Sequence, residues 1–106
     1  FKRSSLDYVA EDVKNSRDKI QVILFSSDIC RTCDKQLTQL KRILSKKRYK
    51  DIELIVYNYD TSSDINETYY VEMHSTILLL KNNDELDRLV GISNNKVLKN
   101  FIRKSY

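Results

Sequence analysis

The chain has 106 residues, with 19 Lys and Arg against 15 Asp and Glu, 41% hydrophobic residues, two Cys, one Gly and no Pro. That length suits one domain, residues 1–106, and no apolar run approaches the roughly 20 residues that span a bilayer. Charged residues are interspersed with apolar ones, which excludes a disordered chain, and the near absence of Gly and Pro excludes collagen-like and linker architectures.

Leu6, Val9, Ala10 and Val13 recur at helical spacing behind Ser4-Ser5, which can supply an N-cap. The run from Ile20 to Phe25 is apolar and β-branched, the pattern of a strand buried on both faces. After Ser26-Ser27-Asp28 the period changes, and Leu37, Leu40, Ile43 and Leu44 form one stripe of a helix. That helix is expected to end in the basic cluster Lys46, Lys47, Arg48 and Lys50. Ile52 to Tyr59 is a second strand pattern. Ser63 to Tyr70 predicts a short helix capped by Ser62 or Ser63. Thr76 to Leu80 is a third strand, Asn82-Asn83-Asp84 a turn that tolerates φ > 0, and Leu86 to Val90 a fourth strand ended by Gly91. Ser93 is the expected cap of a last helix with Val97, Leu98, Phe101 and Ile102 on its buried face.

The order α-β-α-β-α-β-β-α implies parallel βαβ crossovers first and an antiparallel pair last. The expected fold class is α/β, a mixed four-stranded sheet flanked by helices on both faces.

The net charge of +4 raises the question of nucleic acid. Basic residues are mixed with carboxylates from Lys2 to Lys104, and cations at a helix end complement its dipole. No aromatic-interleaved binding motif accompanies them, so no nucleic-acid partner is expected. Phe1 rather than Met opens the chain, so the expectation is a removed leader or tag, or a fragment of a longer protein. Lys2-Arg3 is followed by polar Ser4-Ser5, with no signal-peptide core. Asn66-Glu67-Thr68 fits a glycosylation sequon, a pattern too short to carry weight.

Both cysteines lie in Cys30-Arg31-Thr32-Cys33, between the first strand and the second helix. Cys-x-x-Cys at a strand-to-helix junction within a βαβ pattern is a thiol–disulfide redox arrangement. Unpaired N–H groups and the dipole at a helix N-terminus stabilise a thiolate, and Arg31 adds a cation in the same turn. Two intervening residues let the thiols close a small ring and reopen it. A metal is not expected: there is no second Cys pair and His74 is the only histidine, so a closed zinc site needs carboxylates or a second chain. An inert structural bridge across two residues constrains little chain entropy.

At these residues the chain resembles the thioredoxin family over nearly its whole length. The resemblance is carried by Val22-Ile23-Leu24-Phe25, Cys30-Arg31-Thr32-Cys33 opening a helix, Tyr57-Asn58-Tyr59-Asp60, Ser75 to Leu80 before an Asn turn, Val90-Gly91, and the last helix. It implies a thioredoxin fold, with Cys30 as attacking and Cys33 as resolving thiol of a Cys30–Cys33 disulfide couple. It also implies protein disulfide or dithiol substrates, an external redox partner and no cofactor. The family's usual Trp-Cys-Gly-Pro-Cys is absent. Its cis-proline aligns with Ser75, where a trans peptide is expected because a non-proline cis bond costs about 2.5–4 kcal/mol. Its buried Asp and nearby Lys align with Leu24 and Val56.

Arg31, Thr32, His74 and Ser75 are the supporting residues of the site. His74 can tune Cys30, assist proton transfer or join the thiols at a metal; as a single histidine it is read first as a half-exposed loop residue without a role. Tyr57, Tyr59, Tyr69 and Tyr70 are read as residues that bury their rings and keep their hydroxyls wet. The chain is expected to be a monomer in the cytoplasm, or outside it after leader removal. The competing reading is a protein-binding or redox-sensing module with little reductase activity, which the loss of the proline favours.

Overall fold

The computed structural model describes residues 18–106; the helix expected at Leu6 to Val13, with its cap, lies outside them. Strand β1 (Ile20–Ser26) is buried from Ile20 to Phe25, as a two-faced strand must be. Gln21 is the polar exception, and its Nε2 donates to Glu53 Oε1 at 3.0 Å. Helix α1 (Arg31–Leu44) buries Cys33, Gln36, Leu40 and Ile43, a 3-4-3 spacing that keeps one stripe on the sheet. The expected Leu37 and Leu44 flank that stripe and pack on it from the side.

The basic cluster does not end α1 as expected. The helix stops at Leu44 with Ser45 as its C-cap and carries Lys41 and Arg42 in its last turn. Buried Tyr49 draws the following chain into a 3₁₀ turn, Lys47–Tyr49. Strand β2 (Ile52–Asn58) then pairs parallel with β1, from Ile20↔Ile52 to Ser26↔Asn58. Tyr59 leaves the strand for a 3₁₀ turn, Tyr59–Thr61, because Asn58 Oδ1 accepts the Asp60 N–H at 2.9 Å.

Helix α2 (Ser63–Thr68) is shorter than expected. It ends because Tyr70 turns into the left-handed region at φ 56°. There the Val71 N–H reaches back to Asn66 O at 2.8 Å and the Tyr70 N–H to Glu67 O at 3.1 Å, a Schellman closure with Tyr where glycine is usual. Tyr70 is consequently 83% exposed, against the expectation that its ring is buried. Asn66 of the sequon is buried and donates from Nδ2 to Tyr59 O at 2.8 Å, so its amide is committed to the fold.

Strand β3 (Thr76–Lys81) pairs antiparallel with β1 and with β4 (Asp84–Val90). The hairpin turn is two residues, Asn82 at φ 53° and Asn83 at φ 74°, the primed turn that asparagine tolerates. Asp84 is therefore already strand, and β4 begins two residues before the expected Leu86. A bulge follows: Leu79 faces Asp87 while Leu80 faces Glu85, leaving Leu86 without an opposite residue. Helix α3 (Asn95–Arg103) is capped by Asn94 and not Ser93; Asn94 Oδ1 accepts the Val97 N–H at 3.1 Å. Its buried face runs through Leu98, Phe101, Ile102 and on to Ser105, which leaves the expected Val97 at the rim, 40% exposed.

Among the described residues the sheet order is β2-β1-β3-β4, a mixed four-stranded sheet. One core joins Val22, Leu24, Ile77 and Leu79 to Leu40 and Ile43 of α1 and to Leu98 and Phe101 of α3. The opposite face joins Ile23, Phe25, Leu78 and Leu80 to Ile65 of α2, with Tyr57, Tyr59 and Tyr69 packed against them. This is the expected α/β architecture, a mixed sheet with helices on both faces. No described helix is long and apolar enough to cross a membrane.

Candidate functional site

The site forms where β1 leaves the core. The Cys30 N–H donates to Ser27 O at 3.2 Å, tightening the turn, and Ser27 Oγ donates to Asp60 Oδ2 at 2.7 Å, tying that turn to the end of β2. Cys30 is the N-cap of α1, with extended backbone, and its Sγ accepts the Cys33 N–H at 3.0 Å. A sulfur thus fills the place where a Ser or Asp oxygen ordinarily receives an orphan helix donor. That donor and the helix dipole both favour negative charge on the same atom.

Cys30 and Cys33 are joined as a disulfide with Cα atoms 5.2 Å apart. Cys30 is 6% exposed beside the 88% exposed Ile29, whereas Cys33 is fully buried. Cys33 Sγ lies 3.9 Å from Phe25 O and 4.0 Å from His74 Nδ1. The bonded sulfur carries no proton, so the Phe25 contact becomes a hydrogen bond only when the pair is reduced. The His74 ring also meets Tyr59 edge-on, with centroids 6.5 Å apart.

His74, read first from the sequence as a loop residue without a role and otherwise as a group that tunes Cys30, assists proton transfer or joins a metal, is brought to the sulfurs and lies against Cys33. Its position follows from Ser75, which is buried and at φ 57°. The Ser75 N–H donates to Phe25 O at 2.7 Å, and Ser75 O accepts from the Gly91 N–H at 2.9 Å and Gln36 Nε2 at 3.1 Å. The described residues contain no cis peptide bond, so His74–Ser75 is trans. Arg31 is exposed in the first turn of α1 and Thr32 is half-buried beside it.

Sequence reasoning did not find Gln36. Its Nε2 donates to both Ser75 O and Ile92 O, at 3.1 and 2.9 Å, while its Oε1 is buried without a hydrogen-bond partner among the described residues. The signal was present: a polar residue at the i+3 position from Cys33, on the stripe that continues to Leu40 and Ile43.

Residues 5–104 match the thioredoxin family. The chain belongs to that family. It is 35% identical over 89 residues to mitochondrial thioredoxin-2 of Schizosaccharomyces pombe, covering 84% of this chain and 65% of that protein. It is 28% identical over 92 residues to mitochondrial thioredoxin of Bos taurus, covering 87% of this chain and 54% of that protein. The chain thus spans between half and two thirds of the length of these two relatives. The crystal structure of Trxlp from Edwardsiella tarda superposes with a TM-score of 0.79 over 94% of each chain at 20% identity, a likeness of fold.

Leu24 and Val56, which the resemblance aligns with a buried Asp and a Lys, face each other in register on β1 and β2. Leu24 is fully buried and Val56 is 45% exposed. Among the described residues, the titratable side chain that does reach Cys33 is His74.

Proposed function

We propose that the chain is a thiol–disulfide oxidoreductase acting on protein disulfides through Cys30 and Cys33. The observation that carries this reading is the Cys30 sulfur serving as helix cap in a disulfide with buried Cys33. In the reduced protein the Cys30 thiolate attacks one sulfur of a substrate disulfide, and the other leaves as a thiolate. Cys33 gives up its proton, for which His74 Nδ1 is the acceptor at hand, and attacks Cys30 Sγ. The mixed disulfide breaks, the second substrate thiol is released, and two electrons have passed to the substrate. No cofactor enters this exchange. Turnover needs an external partner to return the electrons. Our reading is a monomer working in the cytoplasm, where such a pair is kept mostly reduced.

The competing reading, a recognition or redox-sensing module with little reductase activity, is favoured by the Leu24–Val56 pair and by serine at position 75. Insulin reduction separates the two: a rate above a dithiol control supports the enzyme, and none supports the module. Two further measurements fix the roles. Iodoacetamide should label Cys30 first in the reduced protein, and Cys33→Ser should trap a mixed disulfide that Cys30→Ser does not. In His74→Ala the resolution step should slow and change its pH profile; an unchanged profile removes His74 from proton transfer.

A further inference from the structure

We infer that the reduced chain holds one zinc-class divalent cation between Cys30, Cys33 and His74, with a fourth coordination position open. The inference shares with the proposed function only the requirement that the Cys30–Cys33 bond be reducible, and does not need exchange with protein disulfides.

One ligand atom from each of these three residues lies within 4.8 Å of the others. Zinc with Zn–S near 2.3 Å and Zn–N near 2.0–2.1 Å places tetrahedral ligand atoms about 3.5–3.8 Å apart. The 4.0 Å between Cys33 Sγ and His74 Nδ1 is within about 0.5 Å of that spacing. Reduction unties the two sulfurs, whose Cys-x-x-Cys spacing is that of one half of many zinc sites. The imidazole does not need to search for them, because the three backbone bonds of Ser75 fix where His74 leaves the chain. The Cys33 N–H already bonded to Cys30 Sγ supplies the outer hydrogen bond that orients a thiolate ligand.

Two thiolates and one neutral imidazole suit Zn²⁺ or Co²⁺ and not Mg²⁺ or Ca²⁺, which take oxygen. Ligation balances as two Cys thiols plus M²⁺ giving the bis-thiolate complex plus two protons. The sequence expectation of no metal rested on a closed four-ligand site. A site with three protein ligands and one open position has no such requirement. In the oxidised chain the disulfide occupies both sulfurs, so the ion binds the dithiol form alone.

The test is a Co²⁺ titration of the reduced, desalted protein under anaerobic conditions, with Zn²⁺ added afterwards as competitor. The expected result is one Co²⁺ per chain, with thiolate-to-cobalt charge-transfer bands that Zn²⁺ abolishes and that the oxidised protein never shows. His74→Ala, checked for folding by circular dichroism, should weaken binding by about tenfold or more. Charge-transfer bands absent from the wild type, one ion shared by two chains, or equal affinity in His74→Ala would each overturn the site. A chain that binds one Co²⁺ yet reduces no insulin keeps this site and loses the proposed activity; the reverse outcome does the opposite.

Discussion

Gln36 Nε2 donates to the Ser75 carbonyl at 3.1 Å, so the helix that begins at the redox pair also holds the loop that carries His74. The same amide reaches Ile92 O at 2.9 Å, beyond β4. One buried side chain therefore sets the spacing of three segments around the sulfurs. Gln36→Leu removes both bonds while keeping the apolar stripe of α1. The expected cost is about 1–2 kcal/mol, moderated because the unpartnered Oε1 is lost as well. Hydrogen exchange should accelerate at the Ser75 and Gly91 amides; unchanged exchange there would show that the loop does not depend on Gln36.

Ser75→Pro should destabilise the fold rather than restore a family trait. Proline fixes φ near −65°, whereas Ser75 sits at φ 57° and uses its N–H on Phe25 O. The mismatch should cost more than about 1 kcal/mol, and Ser75→Gly should cost little or nothing. Urea denaturation of the two variants checks this. Equal stability for Pro and Gly at position 75 contradicts the geometry described.

Tyr70 closes α2 in the left-handed region with its ring in solvent. A non-glycine residue there costs about 1–2 kcal/mol, part of which glycine returns through its more flexible unfolded chain. Tyr70→Gly should raise stability by about 0.5–1 kcal/mol, read as a higher urea midpoint at constant m. A lower midpoint would mean that the exposed ring makes a contribution the geometry does not account for.

Acid should weaken the β4 side of the molecule. Glu85 accepts from Arg88 Nε at 2.6 Å and Nη2 at 2.8 Å, and Lys104 donates to Asp87 Oδ2. The Arg88 hydrogen bonds hold Glu85 below the ordinary carboxylate range, and the Lys104 hydrogen bond does the same for Asp87. A depressed folded pKa contributes stability that is present above the unfolded value and lost as pH falls through the folded one. Each pair is partly exposed, so each contribution is small. Between about pH 5 and pH 2, the Glu85→Gln, Asp87→Asn double variant should lose less stability than the wild type. Parallel thermal-unfolding curves across that range would contradict the assignment.

The elements were legible wherever hydrophobic period and burial agree. Ile20 to Phe25 and Thr76 to Leu80 read as strands because both of their faces are covered, and Leu98, Phe101 and Ile102 read as one helix face. Boundaries slipped where a side chain redirects the backbone: Asn58 turning Tyr59 out of β2, Asn94 displacing Ser93 as cap, Asn82 and Asn83 completing the hairpin without Asp84. The redox pair was legible from Cys-x-x-Cys at a strand-to-helix junction, and its thiol roles from the resemblance to the thioredoxin family. His74 was named through the alignment of Ser75 with the family's proline loop; its contact with Cys33 was not legible, because that depends on the left-handed turn at Ser75 and on a glutamine from another element. Neither leaves a local pattern in the sequence.

The bulge at Leu86 has a consequence for what the sheet can recruit. Among the described strands β4 lies at one edge, where unpaired N–H and C=O groups can template a foreign strand. Here the extra residue interrupts the ladder, and Asp84, Glu85, Asp87 and Arg88 crowd the same short stretch with charge. An incoming strand would meet a broken register and a row of ionised groups that it must desolvate. The β4 rim is thus a poor seed for edge-to-edge growth, and copies of the chain gain little by pairing along it.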